Sequence, residues 1–311
     1  MRRSLFRRRC ESQHSLVPPQ VGCDGLTENI TIRAPRDEEK RAFYDIFQSG
    51  LPGVDRIPFE AFSKWWDKSM QRGTLPQLWR VAEARGRIVG VIVNRVSLEL
   101  RWGMIDEFAV HPKWRNRGIG TALLRESERV LVDYCGNLTH FALSAKTWNL
   151  EAVKLYERFG YSIRSLILHL QGGRSQLSPT VNLVTEKAAS QHVTQLCSLT
   201  SNAFWSTRGR EGWNQEVQEP DSYVVVAPGT SKVLGYFRLA REEELPSSTA
   251  VGFAFRPGYG PRILDVAASQ IRTEQLDLWI EDLHQDIIEY LYGRQFTRVD
   301  AEYFLKKNVR T

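Results

Sequence analysis

The sequence predicts an α/β fold with a mixed sheet, repeated in two consecutive copies. From residue 30 to residue 170, short runs rich in Val, Ile and Phe alternate with amphipathic runs of helical periodicity. The same order of elements returns between residues 181 and 311, and the ends of the copies align without a gap at an offset of 135 residues. Self-similarity at a fixed offset indicates that one folding unit is present twice.

Composition indicates a globular protein in a reducing compartment. The 311 residues correspond to about two domains, and contents of 42% hydrophobic and 25% charged residues are ordinary for globular chains. No apolar run reaches the roughly 18 to 20 residues of a membrane span, so we expect no membrane association and a cytoplasmic location. The cysteines are widely spaced and have no histidine cluster nearby, which favours free thiols and predicts no metal site. They are Cys10, Cys23, Cys135 and Cys197.

The net charge of +6 arises mainly from the first residues of the chain. Residues 1–22 contain five arginines and one glutamate, a balance of +4, which leaves +2 for the rest. We interpret residues 1–27 as a basic, disordered tail, because they lack apolar periodicity. A transit peptide and a polyanion-binding arm are the alternatives, and binding of nucleic acid by the folded part is not expected.

The first copy, residues 28–171, is predicted to run strand, two helices, three strands, helix, strand, helix, strand. The predicted strands are residues 30–33, 79–84, 88–93, 104–110, 141–144 and 161–170, and the predicted helices are 37–47, 58–70, 121–134 and 149–159. The helix at 58–70 carries an aromatic stripe that could line a substrate pocket, although core packing is the commoner explanation. The stripe is formed by Phe59, Phe62, Trp65 and Trp66.

A polar linker, residues 172–180, separates the second copy, residues 181–311. Its predicted strands are 181–185, 223–227, 233–240, 251–255, 276–280 and 296–305, and its predicted helices are 192–203, one from residue 262, and 284–292. One predicted helical stretch in the second copy stands where the first copy has two predicted helices, and the order of the other elements is the same.

The hexapeptide Arg115-Asn-Arg-Gly-Ile-Gly120 follows a strand and precedes a helix. Glycines permit a tight backbone path, and the N–H groups of such a turn point outward at the positive end of the helix dipole. This geometry suits a pyrophosphate, although a basic surface turn would have the same sequence.

A second stretch, Asn149 to Tyr161, is predicted as a helix that Gly160 terminates. Seven residues are nearly two helical turns, so Asn149 and Tyr156 share a face about 10 Å apart. By itself this pattern favours a structural interpretation, in which Asn149 is a helix N-cap and Tyr156 is a core residue with a bonded hydroxyl.

Together the two stretches resemble the GNAT superfamily of acyl-CoA-dependent N-acetyltransferases. The family pattern R/Q-x-x-G-x-G/A matches Arg115, Gly118 and Gly120, and Val110-His111-Pro112 precedes it as V-x-P commonly does. The pattern N-x-x-A-x-x-L-Y-x-x-x-G-F/Y matches a set of residues downstream, namely Asn149, Ala152, Leu155, Tyr156, Gly160 and Tyr161. The resemblance covers residues 29–170 by motif and residues 181–311 by element order alone.

The resemblance implies that acetyl-CoA is the acyl donor. The backbone of Phe108, Ala109 and Val110 would lie beside the pantetheine arm, and Asn149 would contact that arm. Tyr156 would protonate the departing thiolate. The pyrophosphate would bind the loop, for which the candidate residues are Arg115, Asn116, Arg117, Gly118, Ile119, Gly120 and Thr121.

The base that deprotonates the acceptor amine is predicted from strand parity. Glu107 is the first candidate, and Asp106, expected on the opposite strand face, is the alternate. His111 and His140 are further possibilities. Ser144 stands where some acetyltransferases that act on ribosomal proteins keep a glutamate, which argues against that subfamily.

The second copy is predicted to be degenerate. Its loop, residues 256–262, is shorter, and Pro261 removes a backbone N–H. His284 and Leu291 replace Asn149 and Tyr156. We therefore predict one working site that transfers acetyl groups to a primary amine, either a small molecule or a protein N-terminus, in a chain that could form a homodimer. A non-catalytic acyl-CoA sensor is the alternative function.

Overall fold

The computed structural model describes residues 29–50, 57–178, 182–239 and 248–309. The basic tail, Cys10 and Cys23 lie outside these ranges. Within them, a mixed sheet of thirteen strands extends through both halves of the chain. The predicted α/β class with a mixed sheet is confirmed.

The first half contains six strands and five α-helices among the described residues. The strands are β1 (Ile30–Arg33), β2 (Arg80–Ala84), β3 (Arg87–Ser97), β4 (Trp102–Val110), β5 (His140–Lys146) and β6 (Ser162–Gly173). The helices are α1 (Lys40–Gly50), α2 (Phe59–Gln71), α3 (Thr74–Leu78), α4 (Ile119–Cys135) and α5 (Leu150–Arg158).

The second half repeats this plan in the part of it that the structure describes. The strands are β7 (Val184–Lys187), β8 (Thr200–Ser201), β9 (Ser222–Val226), β10 (Val233–Leu239), β11 (Ser248–Phe255), β12 (Gln275–Glu281) and β13 (Thr297–Asn308). The helices are α6 (Val193–Leu196), α7 (Arg210–Glu216), α8 (Gly260–Ala268) and α9 (Gln285–Gly293). At the offset of 135 residues, the first and last residues of β5, α5 and β6 coincide with those of β12, α9 and β13.

The two halves exchange their last strands. The sheet order is β1-β2-β3-β4-β5-β13-β6-β12-β11-β10-β9-β7, so β13 completes the first half and β6 completes the second. Both exchanged strands are antiparallel to their two neighbours. The sequence order did not reveal this exchange, because β6 and β13 have matching lengths and either could occupy either place.

Helix α4 covers one face of the first half, and α1 and α2 cover the other. The side chains of Leu123 and Leu131 approach glycines of β3 and β4, so the helix lies close to the strands. On the other face, Phe62 and Trp66 of α2 are completely buried. The core interpretation is therefore confirmed for these two members of the aromatic stripe.

Two sequence predictions need correction, and two short helices were not predicted. Gly172 and Gly173 do not begin the linker, because they pair with β12 as the end of β6. The helix predicted at 192–203 ends at Leu196, since Thr200 and Ser201 pair with β11 as β8. Helices α3 and α7 were missed, because each is too short to show helical periodicity.

The strand exchange predicts that the first half does not fold alone. A chain that ends at residue 180 lacks β13 and β12, which leaves β5 without one neighbour and β6 without both, and it loses the contact between Lys307 and the Glu128 carboxylate, 2.6 Å apart. We expect this fragment to be insoluble or to associate, as measured by size-exclusion chromatography. Co-expression with residues 181–311 should restore a soluble complex. A monomeric fragment that unfolds cooperatively would contradict the prediction.

Candidate active site

Strands β4 and β5 diverge in the middle of the first half. They pair in parallel from Trp102 opposite His140 to Ile105 opposite Leu143. Beyond this point β4 continues beside β3, and β5 continues beside β13. Residues 106–110 therefore border a gap on their β5 side in the part of the chain that the structure describes. A gap of this kind can admit an extended ligand along the strand edge.

A β-bulge at Asp106 changes the parity of β4. Glu107 is opposite Val93 and Ile105 is opposite Asn94, so Asp106 is the additional residue. Ile105 lies on the face covered by α4, because the side chain of Asn94 donates to the Ser127 hydroxyl of that helix.

The bulge places Asp106 and Glu107 on the same face, opposite α4. Glu107 pairs with Val93, and the residues on either side of Val93 in β3 lie on the α4 face. Because side chains alternate along a strand, Val93 and its partner Glu107 lie on the opposite face. The Asp106 carboxylate accepts from Arg95, 2.7 Å away, and Arg95 follows Asn94 on β3. The expectation that Asp106 points to the face opposite Glu107 is therefore wrong. The physical reason is the additional residue, which strand periodicity alone cannot detect.

The Glu107 carboxyl has a strongly perturbed acidity. Burial, followed by the negative charge of Asp106, raises the pKa of Glu107 to about 8, and the Arg95 guanidinium opposes this rise. The exchanged strand contributes a further charge, because the Glu302 carboxylate also raises this pKa. Lys146 lies between Glu302 and Asp300, at 2.8 and 2.7 Å, and lowers it. The second half is thus part of the electrostatic environment of Glu107.

The loop before α4 exposes unbonded backbone donors. Asn116 and Gly118 have φ values of 60° and 78°, in the left-handed region, and Gly118 is the N-cap residue without a capping side chain. Within the described residues, no hydrogen bond is formed by the N–H groups of Gly118, Gly120 or Thr121. A side chain on Gly120 would meet Phe108 and Leu155 at 3.5 Å, so β4, α4 and α5 converge here. The arrangement can bind an anion.

The two arginines of the hexapeptide differ in their contacts. The Arg115 guanidinium donates to the carbonyl groups of Val110 and Gly50, at 3.2 and 3.0 Å. This side chain therefore ties the loop to β4 and α1, and its contact with a pyrophosphate stays a prediction. The Arg117 guanidinium lies 4.9 Å from the ring centre of Trp114.

Helix α5 brings its two predicted residues to the same region. Asn149 is the N-cap, and its side-chain oxygen accepts from the Ala152 N–H at 3.3 Å, as one of the alternative interpretations predicted. Tyr156 is 6% exposed and packs between the rings of Phe108 and Tyr161, whose centres are 6.3 and 6.1 Å away. Burial, followed by the Glu107 charge, raises the pKa of Tyr156, so its hydroxyl stays protonated at neutral pH.

The two candidate histidines have local structural contacts. The His111 side chain accepts from the Lys113 N–H at 3.2 Å and caps a short 3-10 helix. Burial lowers the pKa of His140 to about 4, and its ring lies 5.7 Å from the ring of Trp102. His140 is at the start of β5, three residues before the strands diverge. These placements favour Glu107 over either histidine as the candidate base.

The corresponding gap in the second half contains a segment of the chain itself. Strands β11 and β12 pair only from Ser248 to Ala250, and β8 then pairs with β11. Asn202 bridges the diverging strands: it exchanges two hydrogen bonds with the Phe253 backbone, and its side chain donates to the Trp279 carbonyl at 2.8 Å. The His284 ring, in the place of Asn149, contacts the Ser201 carbonyl at 3.0 Å.

Helix α8 also begins differently from α4. It starts at Gly260 with Pro261 in its first turn, and a side chain on Gly260 would overlap that of Ile287. The bulge of β4 has no counterpart, because β10 and β11 pair in a regular register. The shortened loop was predicted from the sequence, whereas no sequence pattern indicated the position of β8 or of Asn202.

The described residues contain no group of three or more His, Cys, Asp or Glu residues that could hold a metal ion. None of their helices is both long enough and apolar enough to cross a membrane.

Comparisons with known proteins identify the family. Residues 40–161 match the model of the Acetyltransferase (GNAT) family. An uncharacterized N-acetyltransferase of Methanocaldococcus jannaschii is 34% identical over 120 residues, which are 38% of this chain and 75% of that protein. N-alpha-acetyltransferase 30 of Homo sapiens is 34% identical over 150 residues, 44% of this chain and 41% of that protein. The chain belongs to the GNAT acetyltransferase family and is an acyltransferase.

A solved structure extends the similarity of fold to both halves. A tandem GNAT protein from the clavulanic acid biosynthesis pathway is similar with a TM-score of 0.64 and 14% identity. The match covers 91% of this chain and 99% of that one. The two halves of this chain therefore form a tandem GNAT fold.

Proposed function

We propose that the first half transfers an acetyl group from acetyl-CoA to a primary amine. The observation that carries this proposal is the divergence of β4 and β5 beside an uncapped helix N-terminus. An extended pantetheine arm fits along residues 108–110, and the pyrophosphate fits the N–H groups at Gly118, Gly120 and Thr121. The family assignment and the buried Tyr156 at the same gap support this interpretation.

Residues of the site are assigned separate tasks. Glu107 removes a proton from the acceptor ammonium, since its raised pKa brings a carboxylate base near the operating pH. The free nitrogen lone pair then attacks the thioester carbonyl, and a backbone N–H of β4 stabilises the oxyanion. As the carbon–sulfur bond breaks, the protonated Tyr156 hydroxyl donates to the departing sulfur. The Asn149 amide contacts the pantetheine arm while its oxygen caps α5.

The acceptor is proposed to be cationic and to approach from the face opposite α4. Four carboxylates and two basic side chains surround that entrance, which gives it an acidic balance. The acidic residues are Asp106, Glu107, Asp300 and Glu302, and the basic residues are Arg95 and Lys146. Small amines and the amino groups of protein N-termini both fit, and the relative named N-alpha-acetyltransferase 30 favours a peptide in the test panel.

The experiment that tests the function is thiol release from acetyl-CoA across a panel of amines and peptides. Turnover with at least one amine, and an acetylated product by mass spectrometry, is the expected result. Tight binding of acetyl-CoA without transfer to any member would favour the sensor function instead. A chain that lacks residues 1–22 should behave identically, since the folded halves contain the proposed site.

We also propose that the second half does not bind acetyl-CoA. Strand β8 and Asn202 satisfy the strand edges that a pantetheine arm would use, and Pro261 leaves fewer donors at α8. The second half then serves the first by supplying β13 and its carboxylates. Calorimetric titration with coenzyme A is expected to give one site per chain, and two sites would contradict this proposal.

Glu107→Gln is expected to lower turnover about 100-fold or more, because a neutral amide cannot act as the base. In the unaltered protein kcat/KM should rise with pH to a plateau above about 8, where Glu107 is ionised. The variant should lose this rise. Asp106→Asn is the matched control: it removes a charge that raises the Glu107 pKa, so the rise should remain but move to lower pH.

Glu107→Gln should also change the stability of the fold, apart from its effect on catalysis. The pKa of Glu107 is higher in the folded chain than the value of about 4.3 for a free glutamate. Between these values the folded state binds a proton that the unfolded state lacks, so stability falls as pH rises toward 8. Glu107→Gln should therefore increase the melting temperature relative to the parent protein, and more at pH 8 than at pH 5. An equal increase in melting temperature at both pH values would contradict the raised pKa of Glu107.

A further inference from the structure

A cavity of about 290 Å³ lies where the second half faces the first. Its walls come from β10, β11, β12 and the chain around α7, together with Arg95 of β3 from the first half. Neither Glu107 nor Tyr156 lines it. The cavity is therefore separate from the gap assigned to acetyl-CoA.

Indole rings form much of the apolar wall. Trp205, Trp213 and Trp279 all line the cavity. Trp213 is fixed edge-on against Tyr236, with ring centres 4.9 Å apart, and Trp279 is stacked on His169 at 4.3 Å. Their positions are thus set before any ligand arrives. An apolar cavity of about 150 Å³ is sufficient for benzene, so this one can hold an aromatic ring with a short substituent.

The charged wall has an excess of positive charge. Arg95, Arg208 and Arg238 line the cavity, and Glu216 is the carboxylate among the lining residues. Glu216 is 8% exposed and already engaged, since Arg208 lies 2.9 Å away and the Tyr236 hydroxyl donates to it at 2.9 Å.

Arg238 retains donors for a ligand. Its Nε lies 3.3 Å from Glu216, and within the described residues its terminal nitrogens form no hydrogen bond. The Arg238 side chain is 40% exposed, so it borders the cavity opening without being held by packing. A carboxylate placed there would receive charge-assisted hydrogen bonds from the guanidinium.

We propose that this cavity binds a small molecule that carries an aromatic ring and a carboxylate. The ring packs against Trp205 and Trp279, and the carboxylate accepts hydrogen bonds from Arg238 and Arg95. Phosphate alone would leave the indole surfaces unused, and a neutral aromatic would leave the positive charge uncompensated. Both groups are therefore required for recognition.

Occupancy is transmitted to the first half through Arg95, a consequence that rests on the proposed function. Arg95 lines the cavity and also bonds Asp106, which is adjacent to Glu107 on the same strand face. A ligand carboxylate competes with Asp106 for this guanidinium, and the negative charge around Glu107 then increases. Less of Glu107 is then ionised below about pH 8, so in that range the ligand is an effector that slows deprotonation of the acceptor.

Isothermal titration calorimetry with benzoate, in the absence of acetyl-CoA, tests the site directly. Saturable binding of benzoate is expected, with benzamide, its neutral counterpart, at least about tenfold weaker. Arg238→Gln should weaken benzoate binding about tenfold. Arg272→Gln removes the same charge near the opposite end of β12 and should bind benzoate as the parent protein does.

The contrary outcomes are equally specific. No saturable heat up to about 10 mM benzoate, equal affinity for benzoate and benzamide, or equal affinity of the Arg238 and Arg272 variants would each overturn the proposed site. Benzoate should also inhibit acetyl transfer in the parent protein and less in Arg238→Gln. A chain that binds benzoate as expected but transfers no acetyl group would refute the proposed function and leave the binding site standing.

Discussion

Gly118→Val is expected to increase the dissociation constant of coenzyme A about 100-fold. Gly118 has a φ of 78°, which a β-branched residue does not adopt without strain, although its side-chain direction is open. The loop must then change its path, and the N–H groups at the start of α4 no longer converge. Loss of two hydrogen bonds to a charged pyrophosphate, each about 1.5 kcal/mol, corresponds to about 100-fold. Calorimetric titration with coenzyme A measures this change in the dissociation constant.

Two glycines of the chain provide matched controls. Gly136, at the other end of α4, has a φ of 68°, and Gly258, in the loop before α8, has a φ of 82°. Neither has a heavy atom within 4 Å of the side-chain position, so valine meets the same backbone strain at all three sites. Gly136→Val and Gly258→Val should lower the melting temperature but keep the affinity for coenzyme A.

The controls separate two proposals. Weak coenzyme A binding in all three variants would mean that strain alone had disturbed the fold, and the loop assignment would lose its support. If Gly258→Val alone removed a fraction of the binding sites, the second half would bind coenzyme A, and its proposed degeneracy would be wrong.

Tyr156→Phe is expected to reduce kcat between about 100-fold and 10,000-fold, the range for loss of a positioned general acid. Phenylalanine keeps the ring packing against Phe108 and Tyr161, so the fold and coenzyme A affinity should be preserved. Only the proton donor for the departing sulfur is lost. Single-turnover kinetics with acetyl-CoA and the best acceptor of the panel provide the measurement.

Tyr161→Phe is the control for this substitution. Among the described residues the buried Tyr161 hydroxyl has no partner at good hydrogen-bond geometry, and burial, followed by the nearby Glu128 carboxylate, raises its pKa well above the usual value. Its removal should leave kcat within about twofold and preserve or increase stability, since an unsatisfied buried hydroxyl is unfavourable. Similar losses of kcat in both variants would indicate a packing effect and remove Tyr156 from the mechanism.

The sequence by itself determined the class of fold, the internal repeat and the family. These features depend on local patterns: alternating strand and helix periodicity, an offset of 135 residues, and glycines in a loop between strand and helix. The offset was informative because the equivalent elements β5 and β12 have identical lengths. Gly118 was also identified from local sequence, because a left-handed backbone position in a turn favours glycine.

Tertiary structure decided the details of the site. The bulge at Asp106 reversed the face of one candidate base, because one inserted residue changes strand parity without changing composition. Arg115 donates to the Gly50 carbonyl, which lies 65 residues away in sequence. The exchange of β6 and β13 and the closure of the second gap by Asn202 depend on contacts between distant segments. Such contacts follow from which edges meet in the folded chain, and no local pattern of residues encodes them.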